Sequence, residues 1–289
     1  MRPTLGQTNR MLGYPEDARL LIINADDFGF CNSINRAIMR TLQVGTVRST
    51  TLMAPCPWAP QAMLFLQGHP EISFGVHLTA MCDPAAYRWG PVAPRDKVRS
   101  LVDGAGYGAG YFYNFDDLHD RLDRLELSEL EVEFRAQIDA VLGYGLKPDH
   151  LDWHALRFGA RSDIFELMIR LAMEYGLALR VIGRSWIEKL QSQGLPTIDY
   201  DFLDSYSISP DIKAARFIRL LHELPAGLSE WAVHPGLDDA ELRAMEPTGS
   251  AYRQADYDFW VSQEAKEIIQ SEGIILLDYR ALQPVWRGK

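Results

Sequence analysis

Two adjacent aspartates, Asp26 and Asp27, directly follow the apolar segment LLIINA at residues 20–25. Paired carboxylates at the end of a predicted strand indicate either a solvent-exposed turn or a site that binds a cation and moves protons. The pair by itself favours neither interpretation. Other residues able to do chemistry must decide between them.

Five polar residues lie at or near the ends of other predicted strands. They are His77 in GVHLT, His150, Asp152 and His154 in DHLDWH, and His234 in AVHPG. A lone histidine in such a position is more often a hydrogen-bonded core residue than a ligand. Their coincidence favours a metal site or an acid–base site, because the carboxyl ends of parallel strands meet at one face of a barrel.

Two histidines and one carboxylate form a common ligand set for a divalent metal ion that keeps positions open for water and substrate. We predict this set to be Asp27, His77 and His154. His150, Asp152 and His154 alternate along the fourth predicted strand and therefore project to one face. Asp152 is expected to accept a hydrogen bond from a ligand imidazole, or to be an ordinary polar residue of a strand end.

The adjacent aspartates raise a geometric difficulty, because neighbouring side chains of a strand point to opposite faces. A turn beginning at Asp26 would bring both carboxylates to one pocket, and Gly29 supplies backbone freedom for such a turn. One aspartate would then bind the metal ion while the other stays free as a base.

Seven short apolar segments are predicted as strands, with segments of helical periodicity between them. The strands are predicted at residues 20–25, 49–54, 73–80, 149–154, 177–183, 230–236 and 273–279. Several helical segments end in glycine, and SQEAKEIIQSEG opens on Ser262, a favourable N-cap. The alternation predicts a single-domain α/β fold, a distorted TIM-like (β/α) barrel of seven strands.

No shift in composition marks a domain boundary within the chain. Residues 1–18 are predicted to form an N-terminal extension, and residues 19–289 the barrel. One long excursion, residues 81–128, interrupts the alternation and contains DGAGYGAGYFYNFDD. Its glycine- and tyrosine-rich composition predicts a lid over a site or a surface insertion.

Charge and cysteine content argue against several classes of partner. The formal net charge of −10 disfavours binding to nucleic acid and to anionic membrane surfaces. Cys31, Cys56 and Cys82 are isolated, which indicates neither a disulfide framework nor a thiolate zinc site. No segment resembles a secretion signal or a membrane span, so a cytoplasmic location is expected.

Six segments, spread from about residue 20 to the C-terminus, carry a family resemblance. They are NADDFG, TVRSTTLM, FGVHLT, HLDWH, VHPG and YRQADYDFWVSQEAKEIIQSEGIILLDYRAL. In this order, the set resembles the YdjC-like (ChbG-type) carbohydrate deacetylase family. The resemblance implies a seven-stranded (β/α) barrel that removes an acetyl group from an N-acetylated sugar with a divalent metal ion, Mg or Zn.

The same resemblance implies a role for particular residues. Asp27, His77 and His154 resemble the family's metal ligands. Asp26 resembles the catalytic base, and His234 the acid near the leaving nitrogen. A homodimer is a further expectation from the family.

The chain departs from the family pattern after the fourth predicted strand. HALRFG stands where the family has further histidines, so that Ala155, Leu156, Arg157 and Phe158 replace them. Trp153 stands where a small residue is usual. A changed sugar-contacting wall is therefore expected, and a substrate that differs from chitin disaccharide.

The sequence leaves the roles of several other residues open. Arg180 and His150 are candidates for substrate contact or for support of the site, and Arg180 also for a structural salt bridge. Trp153, Trp89 and Tyr111 are candidates for stacking on a sugar ring, or for the core. Two other functions remain open, namely hydrolysis of another amide or an ester and non-catalytic sugar binding.

Overall fold

The predicted apolar segments form short buried strands in the computed structural model, which describes residues 7–83, 87–104, 109–156 and 161–288. The strands are β1 (Arg19–Phe28), β2 (Ser49–Leu52), β3 (Ser73–Leu78), β4 (His150–Trp153), β5 (Ala178–Leu179), β6 (Leu203–Asp204), β7 (Gly227–Val233) and β8 (Ile275–Leu277). All residues of β2, β3, β4 and β7 are buried. Such continuous burial is typical of parallel strands covered by helices.

Helices fill most connections between the strands. Among the described residues they are α1 (Gln7–Leu12), α2 (Asn32–Val44), α3 (Ala59–Gly68), α4 (Phe115–Asp120), α5 (Leu127–Gly143), α6 (Ser162–Tyr175), α7 (Arg184–Ser192), α8 (Lys213–His222), α9 (Ala240–Met245), α10 (Ser250–Trp260), α11 (Gln263–Ser271) and α12 (Gln283–Arg287). Gly45 and Gly176 end α2 and α6 in the left-handed conformation. Ser262 caps α11 by accepting a hydrogen bond from the backbone N–H of Ala265.

The strands pair in parallel in the order β5-β4-β3-β2-β1-β7-β6, and β8 pairs with the first half of β1. The sheet curls, but among the described residues its end strands β5 and β6 are not paired with each other. The barrel is therefore open on that side. The predicted distorted, TIM-like (β/α) barrel with seven strands along its main path is confirmed.

Two strands differ from the prediction. The segment predicted at residues 177–183 contributes only Ala178–Leu179 to the sheet. Leu203–Asp204, the strand β6, was not predicted, because the surrounding sequence DYDFLDSYS contains no apolar run. The strand predicted at residues 273–279 is β8, which lies beside the main path.

The described parts of the extension and the insertion pack against the barrel. In α1, Thr8 Oγ1 donates to the carbonyl group of Thr197 at 2.6 Å, and both Thr8 and Asn9 are buried. In α5, the carboxylate of Glu133 accepts hydrogen bonds from the backbone of residues 92 and 93. None of the described helices has the length and apolar character needed to cross a bilayer.

Candidate metal and acid–base site

The two adjacent aspartates lie in an irregular segment near the carboxyl end of β1. The register between β1 and β2 shifts between Ala25 and Phe28, and Asp27 adopts a φ of 73°. Few residues other than glycine enter this left-handed region, and aspartate tolerates it better than most. Because the bulge breaks the alternation of side chains, Asp26 and Asp27 both line one cavity.

Asp27, His77 and His154 bring three donor atoms together. Asp27 Oδ1 lies 3.3 Å from His77 Nε2 and 2.9 Å from His154 Nδ1, and the two nitrogens are 3.4 Å apart. All three side chains are buried. Ligands that each lie roughly 2.0–2.2 Å from one ion have separations of this size. This donor set therefore fits a divalent metal ion.

Carboxylates hold the second nitrogen of each imidazole. Asp152 Oδ1 lies 2.6 Å from His77 Nδ1, and Asp83 Oδ1 lies 2.8 Å from His154 Nε2. A carboxylate in such a position orients the ring and directs its other nitrogen toward a metal ion. The fit to a metal ion thus extends beyond the three donor atoms.

Arg253 and Glu246 form a charged group beside Asp27. Arg253 Nη2 lies 2.8 Å from Asp27 Oδ2, and Arg253 Nε donates to Glu246 Oε2 at 2.6 Å. Tyr206 donates its hydroxyl to Glu246 Oε1 at 2.7 Å. Burial raises the pKa of Asp27, but the Arg253 guanidinium and neighbouring imidazoles outweigh burial and hold the pKa well below its usual value. Asp27 therefore stays ionised.

Arg180 links three buried carboxylates next to the donor set. It contacts both oxygens of Asp26 at 2.7 and 2.8 Å, Asp152 Oδ2 at 2.9 Å and Glu230 Oε1 at 2.7 Å. Burial raises the pKa of Asp26, but Arg180 outweighs this effect and lowers the pKa below its usual value. Asp26, His77 and Asp152 form a second possible donor set. Arg180 already contacts both of its carboxylates.

His234, which directly follows β7, faces Asp26 across the cavity. Its Nε2 lies 3.9 Å from Asp26 Oδ2, and its Nδ1 lies 3.0 Å from Ser205 Oγ. The His234 side chain is 12% exposed, so that it is accessible from the cavity. An imidazole and a carboxylate therefore flank the three donor atoms of Asp27, His77 and His154.

The cavity at the carboxyl ends of the strands measures about 700 Å³. The lining includes the acidic and basic groups described above. It also includes apolar residues, here called the apolar wall, namely Phe115, Trp153, Ala155, Leu156, Ile182 and Phe202. Sites of this form, with a few converging polar groups and an apolar wall, are typical of small-molecule binding.

The structure places most of the predicted site residues together, but His150 lies apart from them. His150 does not line the cavity and instead stacks on Tyr279, with ring centroids 3.7 Å apart, while its Nδ1 contacts Asp149. His150 precedes Asp152 by two residues, which places it about 7 Å deeper along the strand. Trp89 and Tyr111 are also absent from the cavity lining, and Trp89 packs against Phe30.

Sequence reasoning missed five polar residues of the cavity lining. They are Asp83, Asp204, Tyr206, Glu246 and Arg253. Arg253 lies in the segment YRQADYDFW, which carried the family resemblance without a role for any single residue. The other four follow no periodic pattern that would have indicated them.

Metal binding at this site is expected to weaken as pH falls. Burial lowers the pKa of His77, but Asp152 and the neighbouring carboxylates outweigh it and raise the pKa to about 9. Because a ligand imidazole must be deprotonated, a proton on His77 competes with the metal ion below this pH. Calorimetric titration with Zn²⁺ in buffers of different ionisation enthalpy should show proton release at pH 7. Affinity that does not change between pH 6 and 8 would contradict this expectation.

The fold and the site together define a class of protein, a parallel barrel with a two-histidine, one-aspartate donor set at its carboxyl face. The profile of the YdjC-like protein family matches residues 20–271. The chain therefore belongs to the YdjC-like family.

Named relatives match nearly the whole chain. A carbohydrate deacetylase of Enterococcus faecalis is 31% identical, over 91% of this chain and 97% of the relative. A carbohydrate deacetylase of Thermoanaerobacter pseudethanolicus is 27% identical, over 92% of this chain and 100% of the relative. A crystal structure from Enterococcus faecalis, described as a proposed cellobiose-phosphate cleavage protein, superposes with a TM-score of 0.78. It is 30% identical, and the match covers 92% of this chain and 99% of that one.

Proposed function

We propose that this protein is a metal-dependent hydrolase that removes the acetyl group from an N-acetylated sugar or short oligosaccharide. The observation that carries the proposal is the donor triangle of Asp27, His77 and His154, flanked by Asp26 and His234 in one cavity. The names of the family relatives, which are carbohydrate deacetylases, support the same chemistry.

In this proposal Asp27, His77 and His154 hold a divalent ion, Mg²⁺ or Zn²⁺. Such an ion would supply polarisation of the acetyl carbonyl group and a lowered pKa for a water molecule. Asp152 and Asp83 keep the two imidazoles oriented. Their carboxylates accept the hydrogen bonds of the nitrogen atoms that do not face the ion.

Asp26 and His234 move the protons of the reaction. Asp26 is ionised and takes a proton from the attacking water, whose oxygen bonds to the acetyl carbon. His234 Nε2 gives a proton to the sugar nitrogen as the carbon–nitrogen bond breaks, which yields acetate and a free amine. Asp26 Oδ1 accepts hydrogen bonds from both Arg180 and Asn24. Among the described contacts, Oδ2 accepts only from Arg180 and so keeps a lone pair for the water proton.

The apolar wall of the cavity is proposed to bind the sugar ring. Trp153, Phe115 and Phe202 offer flat apolar surfaces to the C–H faces of a pyranose. Leu156 belongs to the segment that differs from the usual family pattern, which supports a substrate other than chitin disaccharide. Arg157 and Phe158 of the same segment lie outside the described residues.

The insertion at residues 81–128 is proposed to contribute directly to this site. Asp83 and Phe115 both belong to it, and both line the cavity. Asp83 contacts the proposed metal ligand His154. In this proposal the described part of the insertion is a wall of the site rather than a separate surface feature.

Substitution of a proposed ligand tests the metal site directly. His77→Ala removes one donor atom, and we expect metal affinity to fall by more than about 100-fold, because even the loss of an orienting partner costs 10–100-fold. Metal content after dialysis, measured by mass spectrometry, gives the result. His222→Ala alters an exposed histidine outside the cavity and should leave the metal content unchanged. Equal metal content in the two variants would remove the ligand assignment.

The activity itself is tested by acetate release across a panel of N-acetylated mono- and oligosaccharides, with and without chelator. We expect release from at least one sugar and its loss with chelator. Hydrolysis of simple esters and lactams in the same assay would support the alternative function, a hydrolase of another amide or an ester. Release of reducing sugar would instead indicate cleavage of the bond between two sugars. Tight sugar binding without acetate release would instead support the non-catalytic alternative.

A further inference from the structure

A chain of hydrogen bonds begins at His234 and continues into the protein interior, and neither the family resemblance nor the proposed function assigns it a role. The residue next to His234 in this chain is Ser205, which follows β6 and is fully buried. Ser205 Oγ lies 3.0 Å from His234 Nδ1 and 2.5 Å from Asp256 Oδ2. The same carboxylate oxygen accepts a hydrogen bond from the backbone N–H of His234 at 2.8 Å.

Proton counting determines the direction of the hydrogen bonds. A hydroxyl carries one proton, and an ionised carboxylate can only accept. The short distance from Ser205 to Asp256 is typical of a charge-assisted bond to a carboxylate. Ser205 therefore donates to Asp256, and its oxygen accepts a hydrogen bond from His234 Nδ1–H.

The far end of the chain is a buried cation. Lys213 Nζ lies 3.0 Å from Asp256 Oδ1, and both side chains are fully buried. Lys213 also donates to the carbonyl group of Tyr252 at 3.0 Å. Lys213 belongs to α8, while Tyr252 and Asp256 belong to α10. Contacts between these two helices therefore hold the Asp256 carboxylate beside His234, the residue that follows β7. The Lys213 ammonium group thus faces Asp256 Oδ1, while Oδ2 accepts the hydrogen bond from Ser205.

The other groups near the imidazole do not replace Ser205. Asp204 Oδ1 is 3.9 Å from His234 Nδ1, beyond hydrogen-bonding distance, and the Asp204 side chain is half exposed. The Tyr206 ring packs edge-on against the imidazole, with centroids 4.6 Å apart. Asp26 faces the opposite nitrogen, Nε2.

We propose that Ser205 and Asp256 are positioning residues that keep a proton on His234 Nδ1 and so present Nε2 to the leaving nitrogen. In the neutral ring, Nε2 is then the bare nitrogen, and the second proton of the imidazolium is held there. This inference rests on the proposed role of His234 as the acid. It adds the residues that select which nitrogen delivers the proton.

Nitrogen-15 NMR of the histidine side chains tests the positioning without any substrate. At a pH where the His234 ring is neutral, with its signals assigned by comparison with His234→Ala, we expect the Nδ1–H tautomer. Ser205→Ala should shift the ring toward the Nε2–H tautomer. Ser207→Ala is the matched control, because Ser207 lies in the same turn, is exposed and donates to the Asp204 carbonyl instead. A wild-type Nε2–H tautomer would overturn the proposal.

A double-mutant cycle tests the catalytic consequence. Ser205→Ala should lower acetate release by roughly 10- to 100-fold, a part of the effect of an acid catalyst, and should have no further effect in the His234→Ala background. Equal losses in both backgrounds would show a purely structural role and reject the proposal. If Ser205→Ala does not fold, Ser205→Cys provides the same cycle with a weaker hydrogen bond. Failure of every sugar to release acetate would reject the proposed function, whereas the NMR result would still decide the tautomer.

Discussion

Asp26→Asn should retain the metal ion and lose turnover by about 1,000-fold, within the range expected for removal of a general base. Asparagine keeps the shape of the side chain and can still accept a hydrogen bond from Arg180. It cannot take a proton from water. The measurement is kcat for acetate release, together with metal content of the same preparation.

The neighbouring residue supplies the matched comparison. Asp27→Asn changes the adjacent carboxylate in the same bulge, and we expect it to lose metal affinity, because Asp27 contributes the oxygen donor. Asp26 also belongs to the second possible donor set, with His77 and Asp152. Metal loss in Asp26→Asn as large as that in Asp27→Asn would therefore move the ion to the second set and end the assignment of Asp26 as the base.

Arg180→Met should lower the free energy of unfolding by about 3–5 kcal/mol, because it leaves buried carboxylates without their cation. Asp26, Asp152 and Glu230 each contact Arg180, and all four side chains are at most 5% exposed. Urea denaturation at neutral pH measures the loss. The loss should shrink toward acidic pH, where protonation relieves the unpaired charges.

A surface arginine provides the control for this substitution. Arg170→Met removes contacts with Glu131, but the Arg170 side chain is 45% exposed. Exposed ion pairs contribute less than about 1 kcal/mol, so this variant should unfold almost as the wild type does. A similar small loss in Arg180→Met would show that the three carboxylates do not depend on the arginine.

The sequence alone predicted the class of fold because its signals are local. Short apolar runs and glycine stops recur along the chain, and each can be recognised from a few neighbouring residues. The segment at residues 203–204 was missed because two strand residues among polar neighbours carry no such pattern. Its place in the sheet depends on β7, which lies distant in sequence.

The same local reasoning identified the carboxylates and imidazoles of the site, but it did not predict the distances between them. Strand ends in a parallel barrel must meet at one face, which is why Asp27, His77 and His154 could be grouped from the sequence. Period-two alternation placed Asp152 on the same face as His154, and the structure shows that the imidazole it contacts is that of His77. It did not distinguish His150, because alternation determines the face of a strand and not the depth along it.

The sequence determined which residue types reach the carboxyl face of the barrel. The position of each strand along the chain and the alternation of its side chains can be recognised from local patterns. Only the tertiary structure decided their partners: the bulge that turns Asp26 and Asp27 to one side, the contact of Arg180 with three carboxylates, and the chain from His234 to Lys213. These contacts join residues that are far apart in sequence. Their distances and charges depend on packing, which no short segment specifies by itself.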